Sequence, residues 1–426
     1  MSKFLLLLTN LAFPFAALGV LLSFFFSPRR RVLRTLKQEL KERFAHLSAQ
    51  ELVQGALWIH CASVGEVKSV SGLIKELKQI YSKEILLTTS TAAGKAEAEK
   101  NPDIAQAVLA PLDFYPFASR FIKNANPYRL FIVEREIWPN MMAAAEKAGI
   151  AILLVNARIS QKSARAYKYI KPLFADLLGK VALAAMQDQD GADRYISLGL
   201  PQERIAVCGN IKYDTLKEQP AKLAAAQEIV QQLGWDKNPI LICGSTHPME
   251  EEIILKALPA WAKQGIKVMF APRHLERKAE IQAALQRQSL AYAFLSEETY
   301  PSNCAVFCVD TMGILQSLYA CATLTFVGGS IVARGAHNLL EPAILHKTVL
   351  FGKYFYNTPD TAHALLSRGG GVLVDENNLQ ETVLRLITDP ATLENMAAKA
   401  QQTALDFKGA TQKIIDAVKT YERTTT

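Results

Sequence analysis

The most constraining feature of this chain is a cadence: from residue 56 onward, short apolar runs alternate with amphipathic helical stretches. In the first half the runs are ALWIHC (56–61), EILLTT (84–89), AVLAP (107–111), LFIVE (130–134), AILLVN (151–156), VALAAM (181–186) and RIAVCG (204–209). The gaps show helical periodicity, as in Val70, Leu73, Ile74, Leu77 and Ile80. After a polar, helix-prone stretch the cadence restarts with PILICG (239–244), KVMFAP (267–272), AVFCVD (305–310), TLTFVG (323–328), TVLFG (348–352) and GGVLVD (370–375), and the tail from 391 is helical. Near-continuous apolar strands separated by amphipathic helices belong to parallel sheets covered on both faces. The expected fold is α/β, with two Rossmann-like doubly wound domains facing a cleft and ligands at the C-terminal ends of the strands. The expected divisions are a membrane anchor (1–28), a first domain (29–215), a linker (216–238) and a second domain (239–426) that keeps the C-terminal helices.

The anchor is expected because residues 4–26 carry no charge, and a helix of 23 residues is about 35 Å long, enough to span a bilayer core. Residues 29–43 follow with seven cations against two acids, so the positive-inside rule expects a single-pass protein with its body on the cytoplasmic side. The six cysteines form no C-x-x-C pair and no zinc spacing, which suits a reducing compartment. A net charge of +8 ordinarily raises nucleic acid as a partner. Here the excess is local: residues 29–43 contribute +5, residues 158–171 another +5, and the rest of the chain sums to −2. That distribution excludes nucleic acid and indicates an anionic, phosphorylated lipid. Kinase and dehydrogenase chemistries are also excluded, since no phosphate loop is present and Gly369–Gly371 precedes a strand where a dinucleotide fingerprint follows one.

Candidate sites lie at the strand ends. Ser63-x-x-Glu66, after the first run, is a capping box by pattern. The same position lets Glu66 act as a general base on a substrate hydroxyl. Glu134-Arg135-Glu136 puts two carboxylates in one loop, readable as catalytic or as an arginine pair plus a helix-start acid. Asp188-Gln189-Asp190 resembles a metal-binding D-x-D but sits where a helix starts, and capping is preferred. Arg158, Lys162, Arg165, Lys168 and Lys171 fall near one helical face, which is either solvated or meets acceptor phosphates or the membrane. In the second half, Ser245 and Thr246, Arg273, residues 310–313, and Gly329 and Ser330 are candidates for holding a phosphate or sugar, while Glu341 could accept ribose hydroxyls.

The segments HCASVGE (60–66), E-x-E-I-W-P (134–139), N-A-R-I-S (156–160), G-N-I-K-Y-D (209–214), A-P-R-H (271–274) and H-N-L-L-E-P-A (337–343) together resemble the 3-deoxy-D-manno-octulosonic acid (Kdo) transferases. The likeness runs from about residue 28 to 420. It implies a GT-B glycosyltransferase of the inner membrane that moves Kdo from CMP-Kdo to the lipid A precursor lipid IVA, with inversion and without a metal. It also implies that Glu66 is the general base and that Glu134 or Glu136 assists. CMP is then held by Pro272 and Arg273, by Met312, Gly313 and Ile314, and by Asn338, Leu339, Leu340 and Glu341. Ile314 stands where many members carry glutamate, and Arg135 replaces a small or polar residue.

Overall fold

The structure is a computed structural model that describes residues 33–216, 220–288, 291–297, 299–301 and 303–425. The apolar segment 4–26 lies outside the described residues, among which no helix is long and apolar enough to cross a membrane. The chain divides into two compact units, one running to Thr215 and including 408–426, the other spanning Leu216–Phe407.

The first unit is built on seven strands: β1 Leu57–Cys61, β2 Ile85–Thr89, β3 Gln106–Leu109, β4 Arg129–Val133, β5 Ile152–Ala157, β6 Val181–Met186 and β7 Ile205–Val207. All pair in parallel, in the order β3-β2-β1-β4-β5-β6-β7. Alternate residues fill two cores, one on each face: Trp58, Ile132 and Leu154 on one side, Ile59, Phe131 and Val155 on the other. That two-sided burial is why the runs are apolar at every position.

The second unit repeats the plan with β8 Ile240–Thr246, β9 Lys267–Pro272, β10 Tyr292–Phe294, β11 Val306–Cys308, β12 Leu324–Val327, β13 Val349–Phe351 and β14 Gly371–Leu373. The order is β10-β11-β9-β8-β12-β13-β14, again parallel throughout. All thirteen expected runs become strands. The strand missing from the expectation is β10, at the edge of the second sheet.

Two expected divisions are corrected. Residues 216–238 are not a linker, because Pro220–Gln232 is a helix whose Ala226, Ile229 and Val230 pack with Leu233 and Trp235 under the second sheet. Nor does the C-terminus stay with the second domain. The helix Ala410–Thr425 buries Ile414, Ile415 and Val418 in one core with Val155 of the first sheet and with Cys208 and Ile211, which follow its last strand. Its start is capped from a distance by Asp214, which accepts the N–H groups of Gly409 (2.7 Å), Ala410 (3.2 Å) and Thr411 (2.6 Å). Its far end is tied by Glu422, which accepts from Arg129 (2.9 and 3.1 Å) and the Tyr81 hydroxyl (2.7 Å). Asp214→Ala is therefore expected to lower the stability of the first unit by about 1–2 kcal/mol. Limited proteolysis would show this as faster cleavage near residue 408, and an unchanged cleavage rate would contradict the capping role.

In a doubly wound sheet, ligands bind where the strand order reverses, outside the C-terminal strand ends. Here that is between β1 and β4 in the first unit, and between β8 and β12 in the second. The residues that follow these four strands are the ones the topology presents.

Candidate functional site

In the first unit, β1 and β4 release the chain into two acid-bearing loops. After β1, Ser63 caps the helix Val64–Ser69, its hydroxyl accepting the Glu66 N–H at 3.3 Å. The Glu66 carboxylate reaches back and accepts the Ala62 N–H at 2.6 Å. The capping pattern is real, and it fixes the carboxylate at the switch point. Burial pushes the Glu66 carboxyl above its ordinary range; the Ala62 N–H opposes this, and the charges of Glu134 and Glu136 add to the rise.

After β4, the two neighbouring acids separate in role. Glu134 adopts a left-handed backbone (φ +59) and is only 3% exposed. Its oxygens meet Arg158 Nε at 3.2 Å and Lys212 Nζ at 2.5 Å. Glu136 is half-buried and accepts the Trp138 indole N–H at 2.8 Å. Burial raises its carboxyl, with the Trp138 bond opposing. Arg135 between them is exposed. Glu134 is thus a clamped anion, and Glu136 is the acid of this loop without a cation bonded to it among the described residues. The helix Pro139–Lys147 that follows is capped by Asp113, which accepts the N–H groups of Asn140 (3.2 Å) and Met141 (2.8 Å).

The clamp explains two sequence segments whose role was not readable. Asn156, at the end of β5 with φ +53, accepts the Ile211 N–H at 3.1 Å and so holds the turn that carries Lys212. Gln187 extends the tie, donating to the Asn156 carbonyl (2.9 Å) and accepting from Asn210 (3.1 Å). Arg158 consequently leaves the basic run. Lys162, Arg165, Lys168 and Lys171 remain exposed and in no ion pair among the described residues. Between them Tyr169 is 91% and Ile170 46% exposed. Asp188 caps the helix Gln189–Leu198 through the Gly191 N–H (2.5 Å) and Asp190 pairs with Arg194 (2.6 Å), as the capping reading expects. No three His, Cys, Asp or Glu side chains converge as a metal set among the described residues.

In the second unit the β8 and β12 loops are locked together by a residue the sequence reading passed over. Glu250 accepts the N–H groups of His247 (3.0 Å), Gly329 (2.8 Å), Ser330 (3.0 Å) and Ile331 (3.0 Å). This corrects the expectation for Gly329 and Ser330. Their N–H groups serve an internal carboxylate rather than a phosphate, and the Ser330 hydroxyl is spent on the Val327 carbonyl at 2.6 Å. Gly328 is required here, since a Cβ would collide with the backbone of Ser245 and Thr246. Thr246 is fully buried, while Ser245 is half-exposed with φ +55.

The same two loops bring His247 and His337 together, ring planes 5° from parallel and Nε2 to Nε2 at 2.9 Å. One nitrogen donates and the other accepts, and burial lowers the basicity of both rings. Burial first, then Arg273 and the neighbouring imidazoles His247 and His274, hold His337 down to about 4. Arg273 follows β9, exposed, its N–H on the Thr246 carbonyl (3.0 Å). Asn338 donates to Glu341 at 3.2 Å, and burial raises the Glu341 carboxyl. Leu339 and Leu340 point into the protein, so only their backbone is available to a ligand. Met312 is exposed, Gly313 has φ +94, and Ile314 starts the helix Leu315–Cys321.

Lys212, Asn156 and Glu250 were the residues missed as contributors. Lys212 and Asn156 lay inside the quoted segments; Glu250 looked like one of three helix-start acids.

The family model described as 3-deoxy-D-manno-octulosonic-acid transferase (kdotransferase) matches residues 38–215. A 3-deoxy-D-manno-octulosonic acid transferase of Haemophilus influenzae is 32% identical over 406 residues, covering 93% of this chain and 92% of that protein. A bifunctional glycosyltransferase/methyltransferase of Fusobacterium nucleatum is also 32% identical, over 359 residues and 83% of this chain, and the chain spans 55% of that protein's length. Among solved structures, a glycosyltransferase from Rickettsia africae superposes with a TM-score of 0.60 at 13% identity, covering 87% of this chain and 98% of that one. That likeness concerns the fold alone, which is GT-B-like.

Proposed function

Because this chain belongs to the 3-deoxy-D-manno-octulosonic acid transferase family, we propose that it transfers Kdo from CMP-Kdo to lipid IVA with inversion at the anomeric carbon. The observation that carries the proposal is the Glu66 carboxylate, held at the β1/β4 switch point by the Ala62 N–H and raised above its ordinary range by burial. Glu66 takes the proton of the acceptor hydroxyl as its oxygen bonds to the anomeric carbon. The bond from that carbon to the phosphate oxygen breaks, and CMP leaves. Arg273 meets the leaving phosphate, so the step runs without a resident metal. Pro272, Met312, Gly313, Ile314 and Asn338 to Glu341 hold the nucleotide, with Glu341 accepting ribose hydroxyls. Glu136 lies in the acceptor's path and Glu134 sets the shape of the loop.

The same reading places the protein at the inner membrane, with residues 4–26 as anchor and the catalytic body on the cytoplasmic side. The exposed Tyr169 and Ile170, framed by Lys162, Arg165, Lys168 and Lys171, suit the headgroup region of an anionic leaflet. The test is product formation from purified full-length protein given CMP-Kdo and lipid IVA. Mass spectrometry should show lipid IVA heavier by one or more Kdo units together with free CMP. Transfer from a UDP-sugar in its place would sink the proposal.

A further inference from the structure

The strand-end loops of the second unit carry more free positive charge than one phosphate needs. Arg277 and Lys278 are committed to the protein itself, Arg277 to Glu251 (3.0 Å) and Glu280 (2.8 Å), Lys278 to Asp310 (2.7 Å). Arg273 and Arg334 are exposed and in no ion pair among the described residues. They come from different loops, after β9 and after β12, yet the loops meet: the Arg273 N–H donates to the carbonyl of Thr246, the neighbour of His247 (3.0 Å), and Arg334 lies three residues before His337, whose Nε2 meets that of His247 at 2.9 Å. Burial and His274 lower the basicity of that imidazole, and Arg334, Arg277 and Arg273 lower it further.

Arg334 does not hang on a loose loop. Its N–H donates to the Val332 carbonyl (2.7 Å) and its carbonyl accepts from Asn357 (3.3 Å). Tyr356 donates to the Ala333 carbonyl (3.0 Å), and Gly335, φ +88, sits so close to Asn357 that a Cβ would collide. A guanidinium on a braced backbone, with no counter-charge from its own chain, is placed for an anion that arrives with a ligand. The histidines do not compete for that anion, because their Nε2 atoms already satisfy each other.

Charge counting then selects the ligand group. A CMP-linked ulosonic acid carries one negative charge on its phosphodiester and a second on the carboxylate of the anomeric carbon. A UDP-linked neutral sugar carries both on adjoining phosphates. Two guanidiniums on two loops match two separated acidic groups. We propose that Arg334 reads the sugar carboxylate while Arg273 meets the phosphate, making Arg334 the residue that selects an acidic sugar. The inference rests on the donor proposed above.

The experiment is calorimetric titration of the full chain with CMP and with CMP-Kdo, for wild type, Arg334→Gln and Arg334→Lys. Arg334→Gln should weaken CMP-Kdo by roughly 10- to 100-fold, the effect of losing one charged hydrogen-bond partner, and leave CMP within about twofold. Arg334→Lys should recover part of the loss. The melting temperature should not move, since the side chain has no ion-pair partner to lose. Equal weakening of both ligands would overturn the inference by assigning Arg334 to the nucleotide phosphate, and an unchanged CMP-Kdo affinity would overturn it outright. A wild-type chain that ignores CMP-Kdo would remove the donor reading as well, so the two failures are distinguishable.

Discussion

Glu66→Gln should fold normally and lose about 10²- to 10⁴-fold in kcat, with KM for the donor little changed. Glutamine retains a carbonyl oxygen for the Ala62 N–H, so the start of helix Val64–Ser69 stays capped. What it cannot do is take the acceptor's proton. The same variant also reports on stability. The Glu66 carboxyl is raised in the folded protein, so the native state binds its proton more tightly than the unfolded chain does. Its contribution to stability is complete below the ordinary glutamate range and is lost as pH rises through the folded value. The ionised carboxylate is therefore a stability cost near neutral pH. Glu66→Gln should melt higher than wild type at pH 8, and the difference should vanish as the pH falls toward 4. Wild-type activity should rise with pH along the limb that deprotonates Glu66. Near-normal turnover in Glu66→Gln would remove it as the base.

The largest loss of stability is expected at Glu250. One buried carboxylate satisfies four backbone N–H groups from two loops, Ser330 and Ile331 on one oxygen, His247 and Gly329 on the other. Alanine leaves four buried donors unmet, and at about 1–3 kcal/mol each the loss should exceed roughly 4 kcal/mol even with relaxation. Glutamine should not rescue it, because an amide NH₂ then replaces an oxygen that accepts two N–H bonds. Urea denaturation of Glu250→Ala and Glu250→Gln should show both far below wild type in the transition of the second unit. A Gln variant close to wild type would mean that one oxygen suffices and the four-bond lock is not energetically coupled. In either variant the His247–His337 pair should loosen, since Glu250 holds both loops that bear it.

These two carboxylates show what the sequence can and cannot convey. Glu66 was legible because it follows a strand within a capping pattern and within a segment resembling a known family. Glu250 was not, because Glu250, Glu251 and Glu252 look alike in a row and only the packing of β8 beside β12 shows that Glu250 is the one that meets the backbone of both loops. The pair Glu134 and Glu136 makes the same point. Their spacing left open which was the structural acid. The left-handed turn at Glu134, together with Arg158 from 24 residues away and Lys212 from further still, decides it.

The sequence by itself determined the number of sheets, their parallel sense and the position of nearly every strand. Those follow from local hydrophobic pattern, which is decided residue by residue along the chain. The tertiary structure decided which strand ends are neighbours, which acids are clamped and which are available, where Gly329 and Ser330 spend their N–H groups, and on which sheet the final helix lies. Each of these depends on partners brought together across long stretches of chain, as when Asp214 caps a helix that begins at Ala410. Burial and pairing of that kind, not residue type, set the charge state of a carboxylate.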